Sequence, residues 1–348
     1  MNLQEMNQKE ELVNCTFVKT VLMLIVVFFH SIVFWRGGWF DIIEPAESFL
    51  PYSILAQWLQ SFHVYAFALV SGYLFYYVKY ECRGYKNFSK FVKKKAARLL
   101  VPYYFISAVW AVPIGIYFFR YGVQDIIRDY IFGYSPNQLW FLLMLFWALI
   151  ILFFLSDVIR KNAFVAIAAA VLFYGMSIAV GRIGGGYLQI STGCAYVPFL
   201  IAGFLIREYE PPLLQKIPVS LWIIGDILLL LGSKVLALKT GAVYTVIGLM
   251  GNLLLHMWGA LMAFYVLQRL ARVISWQENM LFGFLAKRSM VIYMLHQQVI
   301  YFALYFMNGR IAPAWLGIVI FLFSIAVSCL LATLLLRFQI TRFLIGEK

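Results

Sequence analysis

The sequence predicts an all-α, polytopic integral membrane protein with about ten transmembrane helices and both termini in the cytosol. The first observation is the composition, since 64% of the residues are hydrophobic and 12% are charged, against about a quarter charged in soluble domains. The second is that apolar runs of about 20 residues, long enough to span a bilayer, occupy nearly the whole chain. The third is an uneven distribution of Lys and Arg between the loops. One membrane domain over residues 1–348 is therefore predicted.

Ten apolar segments are predicted to cross the membrane. The polar N-terminal stretch has no basic region and no small-residue cleavage site, so the first segment should persist as a helix rather than be removed as a signal peptide. The predicted spans cover about residues 18–36, 53–78, 99–119, 139–156, 163–180, 187–206, 218–236, 243–267, 289–307 and 313–336.

Basic residues set the predicted orientation of these spans. Of the 28 Lys and Arg residues, 21 fall on the side of the N-terminus and seven on the other side. Because cytosolic loops carry the excess of Lys and Arg, both termini should face the cytosol. The same asymmetry explains most of the +13 net charge, so no nucleic-acid partner is needed to account for it.

The densest basic stretch, KYECRGYKNFSKFVKKKAARLLVPYYF, joins the second and third spans. One interpretation is an anchor on anionic lipid headgroups. The other is a cytosolic docking site for a phosphorylated ligand, because Lys95 and Arg98 lie three residues apart on one helix face and pair well with phosphate oxygens. The sequence leaves both open.

His30 lies in the middle of the first apolar segment, eleven residues after Lys19. Eleven helical residues make about three turns, so both side chains lie on one face, about 16 Å apart. An ionisable side chain at this depth is costly, which favours a functional site facing the protein interior.

The other three histidines also fall in spans. His63 should descend to a depth similar to that of His30, so that one ring could relay a proton to the other or orient it. His296 is interpreted as structural or as lining a donor channel, and His256 as structural. For any one of them a buried group hydrogen-bonded across helices is the simpler alternative. Asp226, in the seventh span, is either an ion-pair partner or part of a proton path.

The pattern of reactive residues favours direct transfer over covalent catalysis. A neutral histidine can act as a general base near pH 7, whereas no G-x-S-x-G motif and no Ser-His-Asp order is present. The four cysteines are scattered singly, so neither a disulfide nor a metal site is expected. An acceptor hydroxyl attacking directly, with histidine taking its proton, fits these residues best.

The motifs resemble membrane acyltransferase family 3, which includes bacterial polysaccharide O-acyltransferases and the intercellular-adhesion exopolysaccharide branch. In chain order the similar motifs are Lys19 followed eleven residues later by His30, then SFHVYAFALVSGYLF, KAARLLVPYY, QLWFLLMLF and IYMLHQQVI. The chain departs from the family pattern where Lys19 and Lys95 stand in place of the commoner Arg. Both keep the charge but lose the bidentate fork of a guanidinium.

This resemblance implies a multi-pass enzyme of the bacterial plasma membrane that moves an acyl group, taken as acetyl, from cytosolic acyl-CoA to a glycan hydroxyl. The acceptor is an extracytoplasmic glycan or lipid-linked saccharide. Acetyl-CoA is a co-substrate, no cofactor is bound permanently, and membrane lipids rather than nucleic acid are partners. The implied site consists of catalytic His30 and His63, donor-binding Lys19, Lys95 and Arg98, and cavity-lining Ser71, Trp140, Phe141 and His296.

Two alternatives from other classes remain. The first is an exporter or flippase of a polysaccharide or lipid-linked saccharide that carries out no chemistry. It would need a wide hydrophilic cavity and charges on several spans, whereas the charged residue in mid-span here is essentially Asp226. The second alternative, a sensor, lacks a soluble input module. The enzyme hypothesis predicts instead a single internal cavity that opens inward for the donor and outward for the acceptor.

Overall fold

The computed structural model describes residues 3–184 and 186–347. These residues form α-helices joined by short loops and by short 3-10 and π-helical turns, and the described part of the chain contains no β-strand. The α-helices are α1 (Leu3–Ile32), α2 (Leu50–Gln60), α3 (His63–Tyr76), α4 (Phe88–Ile106), α5 (Val112–Phe119), α6 (Val123–Ile126), α7 (Trp140–Ile159), α8 (Ala163–Arg182), α9 (Ile190–Tyr209), α10 (Pro212–Lys216), α11 (Val219–Ala237), α12 (Ala242–Val273), α13 (Met280–Met307), α14 (Pro313–Leu335) and α15 (Gln339–Leu344).

Ten helical segments of the described residues are long and apolar enough to cross a membrane, and each overlaps one predicted span. The all-α polytopic fold is therefore confirmed, while the cytosolic placement of the termini stays a prediction. The largest differences lie at the starts of the third and ninth spans, which begin at Phe88 and Met280 instead of residues 99 and 289. Hydropathy ends where charged residues begin, but backbone hydrogen bonds continue the helix beyond that point.

Helices α1, α3 and α13, which carry His30, His63 and His296, lie at the centre of the bundle. In the spans that contain α1, α3, α9 and α13, 67% of the most apolar stretch is buried inside the protein, against 17% for α8 and 11% for α11. Helix α1 packs against α3, α12, α13 and α14. The peripheral helices α8 and α11 expose most of their apolar surface, as expected of helices that face lipid.

The end of α1 folds back over the protein instead of continuing outward. A 3-10 turn, Val33–Arg36, follows α1, and the next two residues, Gly37 and Gly38, have φ angles of +82° and +70°. Glycine adopts this left-handed backbone without a steric penalty. The turn keeps the segment after His30 close to the end of its own helix.

Helices α3 and α9 pack closely because each presents a glycine to the other. A Cβ added to Gly72 would lie 1.9 Å from the carbonyl oxygen of Leu200, and one added to Gly203 would lie 1.8 Å from that of Leu69. Small residues at such crossings allow two membrane helices to bring their backbones together. This contact fixes the position of the second span, which carries His63.

Gly203→Ala should therefore destabilise the protein. The added methyl group would overlap backbone, and overpacking of this kind costs about 1–3 kcal/mol. We expect a lower thermal midpoint and a lower folded yield in detergent. Gly175→Ala on α8 is the matched control, because a Cβ there meets nothing within 4 Å. Equal thermal midpoints for the two variants would contradict the close packing of α3 on α9.

Candidate active site

His30 and His296 face each other where α1 packs against α13. His30 lies in the last turn of α1 and is half-buried, and His296 lies within α13 with no exposed surface. Nε2 of His296 is 3.0 Å from Nδ1 of His30, and the two ring centroids are 4.9 Å apart. The two imidazoles therefore share a hydrogen bond inside the membrane-spanning part of the protein.

The neighbouring backbone carbonyl groups indicate which ring nitrogen of each histidine carries the proton. Nδ1 of His296 lies 2.6 Å from the carbonyl oxygen of Tyr293. Because a carbonyl only accepts, a neutral His296 carries its proton on Nδ1 and leaves Nε2 as an acceptor. Nδ1 of His30 faces this acceptor and also the carbonyl oxygen of Val26, at 3.0 Å. It must therefore be the donor, which leaves Nε2 of His30 unprotonated and able to accept a proton.

A cavity of about 490 Å³, here called the outer cavity, lies beside His30. Its wall consists of Phe29, His30, Val33, Arg36, Gly37, Gly38, Trp39, Gln60, Asn137, Gln138, Trp140, Gln297 and Tyr301. Flat aromatic rings and four side-chain amides provide most of its functional groups. Arg36 is the formally charged residue among these wall residues, and its guanidinium donates a hydrogen bond to Gln60. The wall suits a neutral ligand that has both apolar faces and hydroxyl groups.

Only some of the residues predicted to line a cavity lie at the outer cavity. Trp140 belongs to the wall of the outer cavity, and His296 lies directly behind His30. Phe141, the residue after Trp140 on α7, is not a wall residue. Its ring packs against that of Tyr293 instead, with the ring centroids 5.8 Å apart. Ser71 is not a wall residue either, since its hydroxyl donates to the carbonyl oxygen of Phe67 in its own helix, at 2.8 Å.

His63 reaches the same region as His30, as predicted, but it is not the hydrogen-bond partner of His30. Its Nδ1 donates to the carbonyl oxygen of Leu59 at 2.6 Å, and the ring is buried. Phe29 contacts both histidines, with ring centroids 4.6 Å from His63 and 5.0 Å from His30. The predicted relay between His30 and His63 is thus replaced by the direct pair of His30 and His296.

A buried network of amides supports the His296 side of the site. Gln138 donates from Nε2 to Oε1 of Gln298, at 2.7 Å, and to the carbonyl oxygen of Met294, at 2.6 Å. The backbone N–H of Gln138 donates to Oε1 of Gln297 at 2.9 Å. These bonds join the 3-10 turn that precedes α7 to the turn of α13 that carries His296. These glutamines were not predicted as site residues, although glutamines within apolar spans were a visible signal.

A second cavity of about 460 Å³, here called the inner cavity, lies at the opposite end of α1. Its wall consists of Thr16, Lys19, Thr20, Arg98, Ala286, Lys287, Arg288, Ser289, Met290, Leu336, Arg342 and Glu347. Lys19 and Arg98, two of the three residues predicted to bind the donor, line this same cavity. Lys287 and Arg288, adjacent at the start of the ninth span, were not predicted. Five cationic side chains and one carboxylate give this wall a strong positive charge.

Lys95, by contrast, is not a wall residue of the inner cavity. Its Nζ lies over the rings of Tyr85 and Phe91, 5.2 and 5.7 Å from their centroids. Burial raises the pKa of the Tyr85 phenol, so this ring stays neutral and the contact is a cation–π interaction. Residues three apart on a helix diverge by about 60°, and here only Arg98 points into the cavity.

The two cavities share no wall residue. Lys19 and His30 lie along one side of α1 as predicted, but Met23, Val26 and Val27 between them are buried. The sequence predicted a single continuous cavity. The structure has two cavities instead, one at each end of the side of α1 that carries Lys19 and His30. A group passing from one to the other has to displace packed side chains between α1 and α13.

Comparison with known proteins shows the family of this chain. The family described as an acyltransferase domain, acyltransferase family 3, matches residues 14–337. The chain belongs to this family. The match covers nearly the whole chain and includes the histidine pair, both cavity walls up to Leu336 and all ten spans. No curated protein and no solved structure matches the chain.

In this acyltransferase, polar side chains line a cavity at each end of the first span. Among residues 3–184 and 186–347, no three His, Cys, Asp or Glu side chains are grouped as metal ligands would be. The groups available for chemistry at the outer cavity are the unprotonated nitrogen of His30, the amides and the aromatic wall. Those at the inner cavity are cations suited to an anionic ligand.

Proposed function

We propose that this acyltransferase moves an acetyl group from cytosolic acetyl-CoA to a hydroxyl of an extracytoplasmic glycan or lipid-linked saccharide in the bacterial plasma membrane, with His30 as general base. The observation that carries the proposal is the pairing of His30 with His296. It leaves one ring nitrogen of His30 unprotonated beside a cavity of about 490 Å³. A base so placed can act on a hydroxyl that enters the cavity.

The donor would occupy the inner cavity. Coenzyme A carries several phosphate groups, and the wall offers Lys19, Arg98, Lys287 and Arg288 as partners for phosphate oxygens. The positive-inside rule predicts that this end faces the cytosol, where acyl-CoA is found. The long pantetheine arm would carry the thioester along the side of α1 that bears both Lys19 and His30. These two residues are about 16 Å apart along the helix.

The acceptor would occupy the outer cavity. Aromatic rings such as Trp39 and Trp140 present flat apolar faces, and amides such as Gln60 and Asn137 offer both donors and acceptors. Sugars have the complementary combination of apolar ring faces and hydroxyl groups. The low formal charge of the wall favours an uncharged sugar unit at the reacting position.

The reaction then follows in one transfer. Nε2 of His30 takes the proton of the acceptor hydroxyl as its oxygen attacks the thioester carbonyl carbon. The carbon–sulfur bond breaks, the new ester remains on the glycan, and the proton passes from His30 to the departing thiolate. In the intervening imidazolium, Nδ1 of His30 donates to Nε2 of His296, which helps to stabilise the charge.

The exporter alternative fits these cavities less well. An export path for a saccharide needs a continuous hydrophilic passage, whereas the two cavities are separated by buried Met23, Val26 and Val27. The separation suits the narrow, uncharged pantetheine arm of a thioester better than a saccharide chain. The strong positive charge of the inner cavity also suits a phosphorylated donor better than a neutral sugar.

Mass spectrometry of surface glycans from cells with and without the protein tests the proposed function. We expect an acetyl ester at a defined sugar position that is present only when the protein is present. Expression of the wild-type chain from a plasmid in the deletion strain should restore it. Glycans of unchanged acylation but reduced surface amount would contradict transfer and favour export.

Donor binding gives a separate prediction. Replacing both Lys19 and Arg98 with alanine should weaken CoA binding about 10-fold or more, because charge-assisted hydrogen bonds contribute about 1.5–3 kcal/mol each. Titration calorimetry of the purified protein with CoA measures the effect, which should shrink as salt is raised. Lys95→Ala is the matched control, since it removes a charge from α4 outside the cavity wall. Equal losses in the double variant and in Lys95→Ala would show that the cavity wall is not what binds CoA.

A further inference from the structure

Asp226 is a buried carboxyl group on a helix that otherwise faces outward. Only 11% of the apolar stretch of α11 is buried, yet Asp226 and Trp222 have no exposed surface. A carboxyl group within a membrane span is costly and normally has a specific partner. Among the described residues Asp226 forms no ion pair, so the ion-pair partner expected from the sequence is not found.

The partners of Asp226 lie at the break between α2 and α3. Its Oδ2 accepts a hydrogen bond from Nε1 of Trp58 at 2.9 Å and another from Oγ of Ser61 at 3.1 Å. Nδ1 of His256, on α12, donates to the carbonyl oxygen of Ser61 at 2.8 Å. Two side chains from the peripheral pair α11–α12 thus hold one interruption of the second span.

This contact depends on a close approach that only glycine allows. A Cβ added to Gly259 on α12 would lie 2.8 Å from Oδ1 of Asp226, 2.9 Å from Cβ of Phe62 and 3.2 Å from the carbonyl oxygen of Ser61. Helix α12 therefore lies directly against both the carboxyl group and the break. Helices α11 and α12 thus both contact the second span at the break between α2 and α3.

Two sets of contacts connect the break between α2 and α3 with the wall of the outer cavity. Gln60, the residue before Ser61, is a wall residue that receives a hydrogen bond from Arg36. On the other side the ring of His256 stacks on Tyr65 at 4.0 Å, and Tyr65 stacks on Tyr196 at 4.9 Å. The ring of Tyr196 lies 5.7 Å from that of Trp140, another wall residue.

We infer that Asp226, together with His256, is a positioning residue for the acceptor side of the active site. It contacts no reacting atom. Instead it fixes the break at Ser61, and through the break the orientation of Gln60 in the cavity wall and of His63 beside Phe29. This inference rests on the proposed function, because it assigns the outer cavity to the acceptor.

Two substitutions of Asp226 test this inference. Asp226→Leu removes both hydrogen bonds, so glycan acylation per folded protein should fall about 10- to 100-fold, as expected when a reacting group is held loosely. Asp226→Asn keeps an oxygen that can accept from Trp58 and Ser61, and should retain acylation within about threefold. CoA affinity, measured by calorimetry with CoA, should stay within about twofold in both variants because the inner cavity is untouched.

Asp157→Leu provides the matched control. Asp157 also accepts hydrogen bonds from two side chains of the second span, Lys79 at 2.9 Å and Tyr80 at 2.6 Å, but at the inner end. It should leave acylation per folded protein within about threefold of wild type, because the outer cavity is not involved. If Asp226→Leu does not fold, Trp58→Phe removes one of the same hydrogen bonds while keeping an aromatic ring, and should lower acylation about 3- to 10-fold.

Selective loss of acylation in Asp226→Leu, with recovery in Asp226→Asn, supports the positioning role. Normal acylation in Asp226→Leu overturns this role. It is also overturned if acylation falls equally in Asp226→Asn or in the Asp157→Leu control, or if Asp226→Leu loses CoA affinity to the same extent as acylation. A wild-type protein that binds CoA but acylates no glycan contradicts the proposed function itself, which separates the two failures.

Discussion

His30→Ala is expected to abolish acetyl transfer while the protein remains folded. General-base catalysis contributes about 10²- to 10⁴-fold to rate, and no other described group offers an unprotonated nitrogen from the same wall position. The side chain is half-buried beside a cavity, so its removal should cost little stability. Acetylation of surface glycans, normalised to folded protein from detergent extracts, measures the effect.

Ser31→Ala is the control for this substitution. The hydroxyl of Ser31 donates to the carbonyl oxygen of Val27 in its own helix at 2.8 Å, and it is not a wall residue of the outer cavity. We expect near-normal acetylation from this neighbouring variant. Near-normal acetylation from His30→Ala as well would contradict the assignment of His30 as the base.

His296→Leu should lower the rate of transfer about 100-fold without weakening CoA binding. The carbonyl oxygen of Val26 would still accept from Nδ1 of His30, but the imidazolium formed during transfer would lose its hydrogen bond to Nε2 of His296. Removal of the group that orients a general-base histidine and stabilises its charged form is strongly inhibitory in other enzymes. Initial rates with labelled acetyl-CoA, together with calorimetric CoA affinity, separate this effect from a loss of donor binding.

The conservative replacement His296→Gln sharpens that test. A glutamine side chain offers an oxygen that can accept from Nδ1 of His30, so part of the activity should return. If glutamine restores no more activity than leucine, the role of His296 as a hydrogen-bond acceptor for His30 is contradicted. Full activity in both variants would contradict the role of the pair.

The sequence predicted most accurately what depends on a single helix. Ten spans follow from local hydropathy, and the shared face of Lys19 and His30 follows from the helical repeat alone. Both predictions needed no knowledge of which helices pack together. The start of the third span was missed because hydropathy ends at the lysines, whereas the helix itself begins at Phe88.

What the sequence did not reveal depends on the register between distant helices. The contact of His30 with His296 joins positions 266 residues apart, whereas the similar depth of His63 had made His63 the predicted partner. Lys95 and Arg98 likewise have the same charge and nearly the same helix position. The tertiary structure separates them, because Lys95 contacts the rings of Tyr85 and Phe91 while Arg98 faces the cavity.

The long-range placement of polar groups is also what links the peripheral helices to the site. Asp226 in isolation suggested an ion pair or a proton path, since an acidic residue in a span gives no indication of its partner. Its contacts with Trp58 and Ser61 exist because Gly259 allows α12 to approach the break. Such a contact between three spans cannot be read from hydropathy or spacing.

Transfer of label across a sealed membrane tests the central claim most directly. Vesicles containing the purified protein are loaded with acetyl-CoA labelled in the acetyl group, and glycan prepared from cells that lack the protein is added outside. The account predicts that label becomes covalently bound to the external glycan with the wild-type protein and not with His30→Ala. Glycan that remains unlabelled with wild type, or is labelled equally by His30→Ala, would contradict it.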